Sequence, residues 1–204
     1  MAKRSAKKGR LLPRGGARNR ADRTSNQLTE RQCKSLIDAA WQAETLGQPF
    51  NRYITLLWAR GGIDGRDNAK TTGLFINRVS RWARRHGYRL LWAWVQEWGA
   101  TNGAHVHILL HVPTALTPIF RNMPLRWTKE LLPAAYIGGV LECQKLGFDM
   151  NTPAREAEVL GKVHYMLKCS PAAFESKLGM TGRGHIEWGK SCIVFGKRLA
   201  RWQA

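Results

Sequence analysis

No stretch of this 204-residue sequence reaches 18 consecutive apolar residues, which excludes a helical membrane span. Cysteine is scarce. The four present, Cys33, Cys143, Cys169 and Cys192, show no CxxC spacing, which speaks against a zinc cluster and suits reduced thiols in a cytoplasmic protein. The opening MAKRSAKKGR is charged with no apolar stretch behind it, so it does not read as a secretory signal. There is no internal repeat. Acidic residues are few as well, 14 against 33 Lys and Arg, for a net charge of +19. Nine of those bases and one acid fall in the first 25 residues, leaving 24 bases against 13 acids in the rest. A basic tail alone would suit an address or an anchor. A basic body as well calls for a polyanionic partner, most simply nucleic acid.

What is abundant is apolar and aromatic: 44% hydrophobic residues and nine tryptophans, enough for one well-filled core. Residues 1–25 are Gly, Ser, Pro, Lys and Arg with little apolar content, and read as a disordered basic arm. The folded domain is expected over residues 26–204. Its first helix follows Thr29, with Gln32 completing a capping box, Leu28 placed to staple and Gly47 to terminate. Cys33, Leu36, Ile37, Ala40, Trp41 and Ala43 mark its buried side. Residues 52–60, RYITLLWAR, read as a strand. A loop precedes a second helix over 72–86, with an apolar stripe of Leu74, Phe75, Val79, Trp82 and Ala83. Arg78, Arg81 and Arg85 recur on its other side, either a solvated face or a ridge contacting phosphate.

Two strands follow, YRLLWAWVQEWG and AHVHILLHVP, joined by ATNGA, in which Asn102-Gly103 is a strong hairpin signal. Short helical pieces over TPIFRN and LRWTKELL lead to a strand at 139–144, and Pro153 opens a helix running to about Cys169. The sum is one α+β domain with a largely antiparallel sheet. GHIEWGKS, residues 184–191, matches the phosphate-loop pattern, but no strand precedes it and thirteen residues follow. It lacks the strand–loop–helix context that such chemistry needs.

The second strand of the hairpin places His105, His107 and His111 on one face. With the loop centred on Asn102, Glu97 lies opposite His107, and His105 lies one pair nearer the turn. Glu97, His105 and His107 then share a face. Two imidazoles and a carboxylate suit a divalent metal with positions left open. An HxH pair in a strand is also ordinary half-buried histidine, and His111, with no carboxylate opposite, reads as structural. On the Pro153 helix, Tyr165 and Lys168 are three residues apart and share a face. A tyrosine oxygen there could attack a phosphorus polarised by metal, with the lysine steadying charge.

Glu97, the His105-Val106-His107 strand and Tyr165-Met166-Leu167-Lys168 together resemble the HUH endonucleases, and more narrowly the single-tyrosine replication initiators (Rep proteins) of rolling-circle plasmids and small single-stranded-DNA viruses. YITLLW, residues 53–58, stands where that family has its first, apolar motif. The resemblance implies a ferredoxin-like sheet of about five antiparallel strands flanked by helices, with the metal on the sheet and the tyrosine on a facing helix. Implied too are Mg2+ or Mn2+ on Glu97, His105 and His107, nicking of one DNA strand at an origin or its hairpin, and a 5′-phosphotyrosine at Tyr165 assisted by Lys168. Transfer of the bound end to a new 3′ hydroxyl would re-close the circle. Residues 161, 162 and 164 are Gly, Lys and His, so no second tyrosine stands a turn away. Helicase and polymerase would come from the host, and the protein would be cytoplasmic and DNA-associated. Candidates for backbone contacts are the arm, Arg78, Arg81 and Arg85, and near the C-terminus Lys190, Lys197, Arg198 and Arg201. A single-tyrosine transposase or mobilisation relaxase would use the same chemistry. A non-catalytic single-strand binder would stack bases on its aromatics. A 2-His-1-carboxylate iron oxygenase fits neither the charge of +19 nor the strand pattern.

Overall fold

A computed structural model describes residues 27–147 and 153–175, together with residues 24–25, 177, 194–195 and 201–203. Helix α1 spans Glu30–Thr45, and its capping box is formed as expected. The Thr29 hydroxyl accepts from the Gln32 backbone N–H, and the Gln32 side chain accepts from the Thr29 N–H. Cys33, Leu36, Ala39 and Ala43 are its buried residues, whereas Trp41 is 69% exposed. The apolar pattern puts Trp41 inside, but at 100° per residue it lies about 140° around the helix from Leu36.

Strand β2 covers Arg52–Leu56 and ends four residues earlier than its apolar composition suggests. Residues 57–63 instead close a turn, in which the Gly61 N–H reaches the Leu57 and Trp58 carbonyls and the Ile63 N–H that of Trp58. Helix α2 spans Asn68–Arg85 and starts earlier than expected because buried polar contacts draw its first turn into the core. The Trp58 indole N–H donates to the Thr72 hydroxyl at 2.9 Å, and the Asn68 amide to the His105 carbonyl at 3.3 Å. Its buried stripe takes Ile76 in place of Leu74, which is exposed.

The hairpin follows as β3 (Trp92–Gly99) and β4 (Gly103–Leu110). After it come α3 (Thr117–Phe120), α4 (Met123–Leu131), β5 (Leu141–Lys145), α5 (Pro153–Met166) and α6 (Ala172–Glu175). The two-residue strands β1 (Thr24–Ser25) and β6 (Val194–Phe195) pair with each other, and β7 is Arg201–Gln203.

The main sheet has five strands in the order β5-β2-β4-β3-β7, every neighbouring pair antiparallel. β4 is thus inserted between β2 and β3. Successive side chains of a strand point to opposite faces, and both faces are covered. Tyr53, Ala93, Val95 and Leu109 pack against α1 and α5. Ile54, Leu56, Trp94, Val106, Ile108 and Leu110 pack against α2, α3 and α4. Two apolar cores therefore lie back to back across one sheet. No helix among the described residues is long and apolar enough to cross a membrane. Cys33 and Cys143 carry free thiols, while Cys169 is disulfide-bonded, against the expectation of four reduced cysteines.

Candidate metal and tyrosine site

The β3–β4 hairpin sets the geometry. Gly99 pairs with Gly103, leaving residues 100–102 as the loop, and Gly103 alone takes the left-handed conformation at φ +59. A two-residue turn on Asn102-Gly103 would need positive φ at both positions, and no non-glycine residue among those described has one. The pairing centre therefore moves by one residue. Glu97 lies opposite His105, and Val95 opposite His107, which corrects the expected pairing of Glu97 with His107. A partner shift of two residues keeps every side chain on its face, so Glu97, His105 and His107 still converge.

His105 Nε2 stands 3.2 Å from Glu97 Oε2, and His107 Nε2 stands 3.5 Å from the same oxygen. All three residues are buried. The second ring nitrogen of each histidine is engaged. His105 Nδ1–H donates to the Gly103 carbonyl at 2.8 Å, which leaves Nε2 as the lone pair facing Glu97 when the ring is neutral. His107 Nδ1 pairs with the Thr55 hydroxyl at 3.1 Å. Such partners fix ring orientation in metal-ligating histidines. Burial holds His107 below the ordinary imidazole range, only partly opposed by Glu97. Burial would raise the Glu97 carboxyl, but the two imidazoles and Lys168 outweigh it and hold the group ionised, far below its usual value.

The three residues form a group able to hold a metal ion. Glu97 Oε1 and His107 Nε2 are buried without a hydrogen-bond partner, a costly arrangement that a shared cation would relieve. Atoms that each lie about 2.0–2.2 Å from one ion can be no more than about 4.4 Å apart, and the two imidazole–carboxylate distances meet that limit. His111, by contrast, donates from Nδ1 to the Pro49 carbonyl at 2.7 Å, in keeping with a structural role.

Tyr165 and Lys168 arrive from the end of α5. The Tyr165 ring meets His107 edge to face, centroids 5.2 Å apart. Lys168 Nζ lies 3.9 Å from the Tyr165 ring centroid and also contacts Glu97 Oε2. Helix α5 is held over the sheet at its other end. Arg155 donates from both terminal nitrogens to the Glu44 carboxylate on α1, at 2.8 and 3.0 Å, and Glu158 accepts from the Gly147 N–H. The fold thus gathers Glu97, His105, His107, Tyr165 and Lys168, which span 72 positions of sequence, around one point.

Sequence reasoning missed two contributors. Thr55 is the direct cross-strand partner of His107, and Tyr53 stacks on the His107 ring at 5.4 Å. Alternation along YITLLW puts both on one face. Only the pairing of β2 with β4, which no local signal announces, tells which face and which partner. The remaining candidates lie elsewhere. Arg78, Arg81 and Arg85 belong to α2, on the opposite side of the sheet. Lys190, Lys197, Arg198, the phosphate-loop-like segment and the basic arm up to residue 23 fall outside the described residues, as does the Arg201 side chain.

Residues 51–168 match the sequence model of a family described as replication-associated protein, ORF2 type. The match begins at the head of β2 and ends on Lys168, so it contains the four longer strands of the sheet and all five gathered residues. No curated protein and no solved structure matches the chain significantly.

Proposed function

The chain belongs to the ORF2-type family of replication-associated proteins, and on that premise we propose that it nicks and rejoins one DNA strand at a replication origin with Tyr165 as nucleophile. The observation that carries this reading is the meeting of Tyr165 and Lys168 with Glu97, His105 and His107. A phenol, an ammonium and a metal-competent triad in one buried spot serve phosphoryl transfer. Histidines on a merely structural strand have no need of them.

In the proposed step, the Tyr165 phenolic oxygen attacks phosphorus and gives up its proton. The bond to the 3′ oxygen breaks, and that oxygen leaves as a hydroxyl once protonated. The 5′ phosphate stays on Tyr165. One phosphodiester is exchanged for another, so no external energy is needed, and attack by an incoming 3′ hydroxyl reverses the step and joins ends. A polymerase can extend the freed 3′ hydroxyl. Tyr165 sits in the last turn of α5, where the helix dipole is negative and opposes charge on the departing phenol. Lys168, over the ring, offsets it.

Glu97, His105 and His107 would hold a divalent cation, which supplies Lewis-acid polarisation of the scissile phosphate. A carboxylate among imidazoles suits Mn2+ better than Mg2+, whose preference is for oxygen ligands. The test is incubation of the full chain with labelled single-stranded DNA from its own replicon, with and without Mn2+, read on a denaturing protein gel. A metal-dependent adduct that vanishes in Tyr165→Phe is expected. Tight binding with no adduct on any strand of that replicon would leave a non-catalytic DNA binder.

A further inference from the structure

On the far side of the sheet, α2 and α4 enclose a cleft of about 780 Å³ whose polar lining is Arg78, Arg81, Arg84, Arg85, Arg126 and Glu130. A second hollow of about 470 Å³ shares Arg84 and adds Arg89, so the two form one basic strip. Glu130 is the sole acid in either lining and is spent twice over. It accepts from Arg78 Nε at 3.3 Å and from Arg126 Nε at 3.1 Å. Arg81, Arg84 and Arg85 are exposed and make no ion pair among the described residues. Guanidiniums crowded in this way repel one another, and a polyanion relieves that repulsion.

We propose that this cleft grips the phosphate backbone of duplex DNA, on the face of the sheet opposite Tyr165. The inference takes from the proposed function only that the partner is DNA. Arg78, Arg81 and Arg85 recur at intervals of three and four along one side of α2. The seven-residue step from Arg78 to Arg85 spans about 10 Å. That length of duplex carries roughly six phosphates, and the planar guanidinium fork matches phosphate oxygens two at a time. Single-strand grooves combine charge with aromatic platforms on which bases stack. Here Trp127, on the cleft floor, is 4% exposed and offers no such platform. The strip therefore reads backbone, not bases. The strand being cut and the duplex being held would then lie on opposite faces of the sheet, so the cleft would add affinity for origin DNA without entering the chemistry.

The experiment uses the full chain carrying Tyr165→Phe, with no divalent metal, so that nicking has no part in the outcome. Affinity for a duplex and for a single strand of equal length is measured by fluorescence anisotropy over a range of salt. Arg81→Glu with Arg85→Glu should weaken duplex binding at least tenfold, and single-strand binding much less. The slope of log affinity against log salt should become shallower by about 1.8, for two lost phosphate contacts. Arg81→Gln with Arg85→Gln should act in the same direction, in case charge reversal disturbs the helix. Lys70→Glu, exposed on the same helix but outside the cleft, serves as the matched charge control and should have little effect. Unchanged duplex binding would overturn the proposal and point to an acidic protein partner. An equal loss with Lys70→Glu, or an equal loss on single strands, would overturn it too.

Discussion

Lys168 and a bound cation make competing demands on one oxygen, Glu97 Oε2. Without metal, the ammonium neutralises a carboxylate that could not otherwise stay ionised at 2% exposure. With metal in place, the same ammonium is a like charge beside the ion. A unit-charge repulsion at about 4 Å is worth about 4 kcal/mol even at an effective dielectric of 20, so its removal should be felt. Lys168→Met is therefore expected to bind Mn2+ at least about tenfold more tightly, a gain of about 1.4 kcal/mol, while losing most of its nicking activity. Calorimetric titration with Mn2+ beside the adduct assay checks both halves. A variant that binds metal more weakly would mean that Lys168 supports the triad and does not oppose the ion.

At the scale of elements, the site depends on a turn and a tether. Gly103 closes the hairpin at φ +59, and a Cβ there would stand 2.5 Å from the Ala59 side chain. Its carbonyl also orients His105. Gly103→Ala should cost about 2 kcal/mol or more, from left-handed strain of about 1–2 kcal/mol plus the clash. Denaturant unfolding measures this, and a loss below about 0.5 kcal/mol would show that the turn readily finds another conformation. The tether is the Arg155–Glu44 pair. It joins α5 to α1 and so fixes where Tyr165 and Lys168 come down on the sheet.

Across the whole molecule, one sheet separates two kinds of surface. The α1–α5 side holds the buried triad, the tyrosine and the lysine, and the α2–α4 side holds the arginine cleft. Metal binding should be visible in global stability, since the ligands come from two strands beneath a third element. At a free Mn2+ concentration of 100 times its dissociation constant, linkage gives about 2.7 kcal/mol, roughly 5–10 °C in Tm for a chain of this length. Thermal unfolding with and without Mn2+ should show that shift, and Glu97→Gln should abolish it. A shift that persists in Glu97→Gln would place the ion elsewhere.

The sequence by itself determined the local parts, because they rest on short-range periodicity and capping chemistry. Thr29 and Gln32 announce α1. The alternation of β3 and β4 puts Glu97, His105 and His107 on one face for any shift of pairing by an even number of residues, and Tyr165 and Lys168 share a helix face by their spacing. The basic balance pointed to DNA before any fold was known. Only the tertiary structure decided how these parts meet. Which residue of the loop took the positive φ set the register. The insertion of β4 between β2 and β3 brought Thr55 to His107 across 52 positions of sequence. The packing of α5 and α2 on opposite faces put Tyr165 on the triad and the arginines on the far side. Those outcomes turn on contacts between residues distant in sequence, where hydrophobic burial is non-directional and cannot be read from either partner alone.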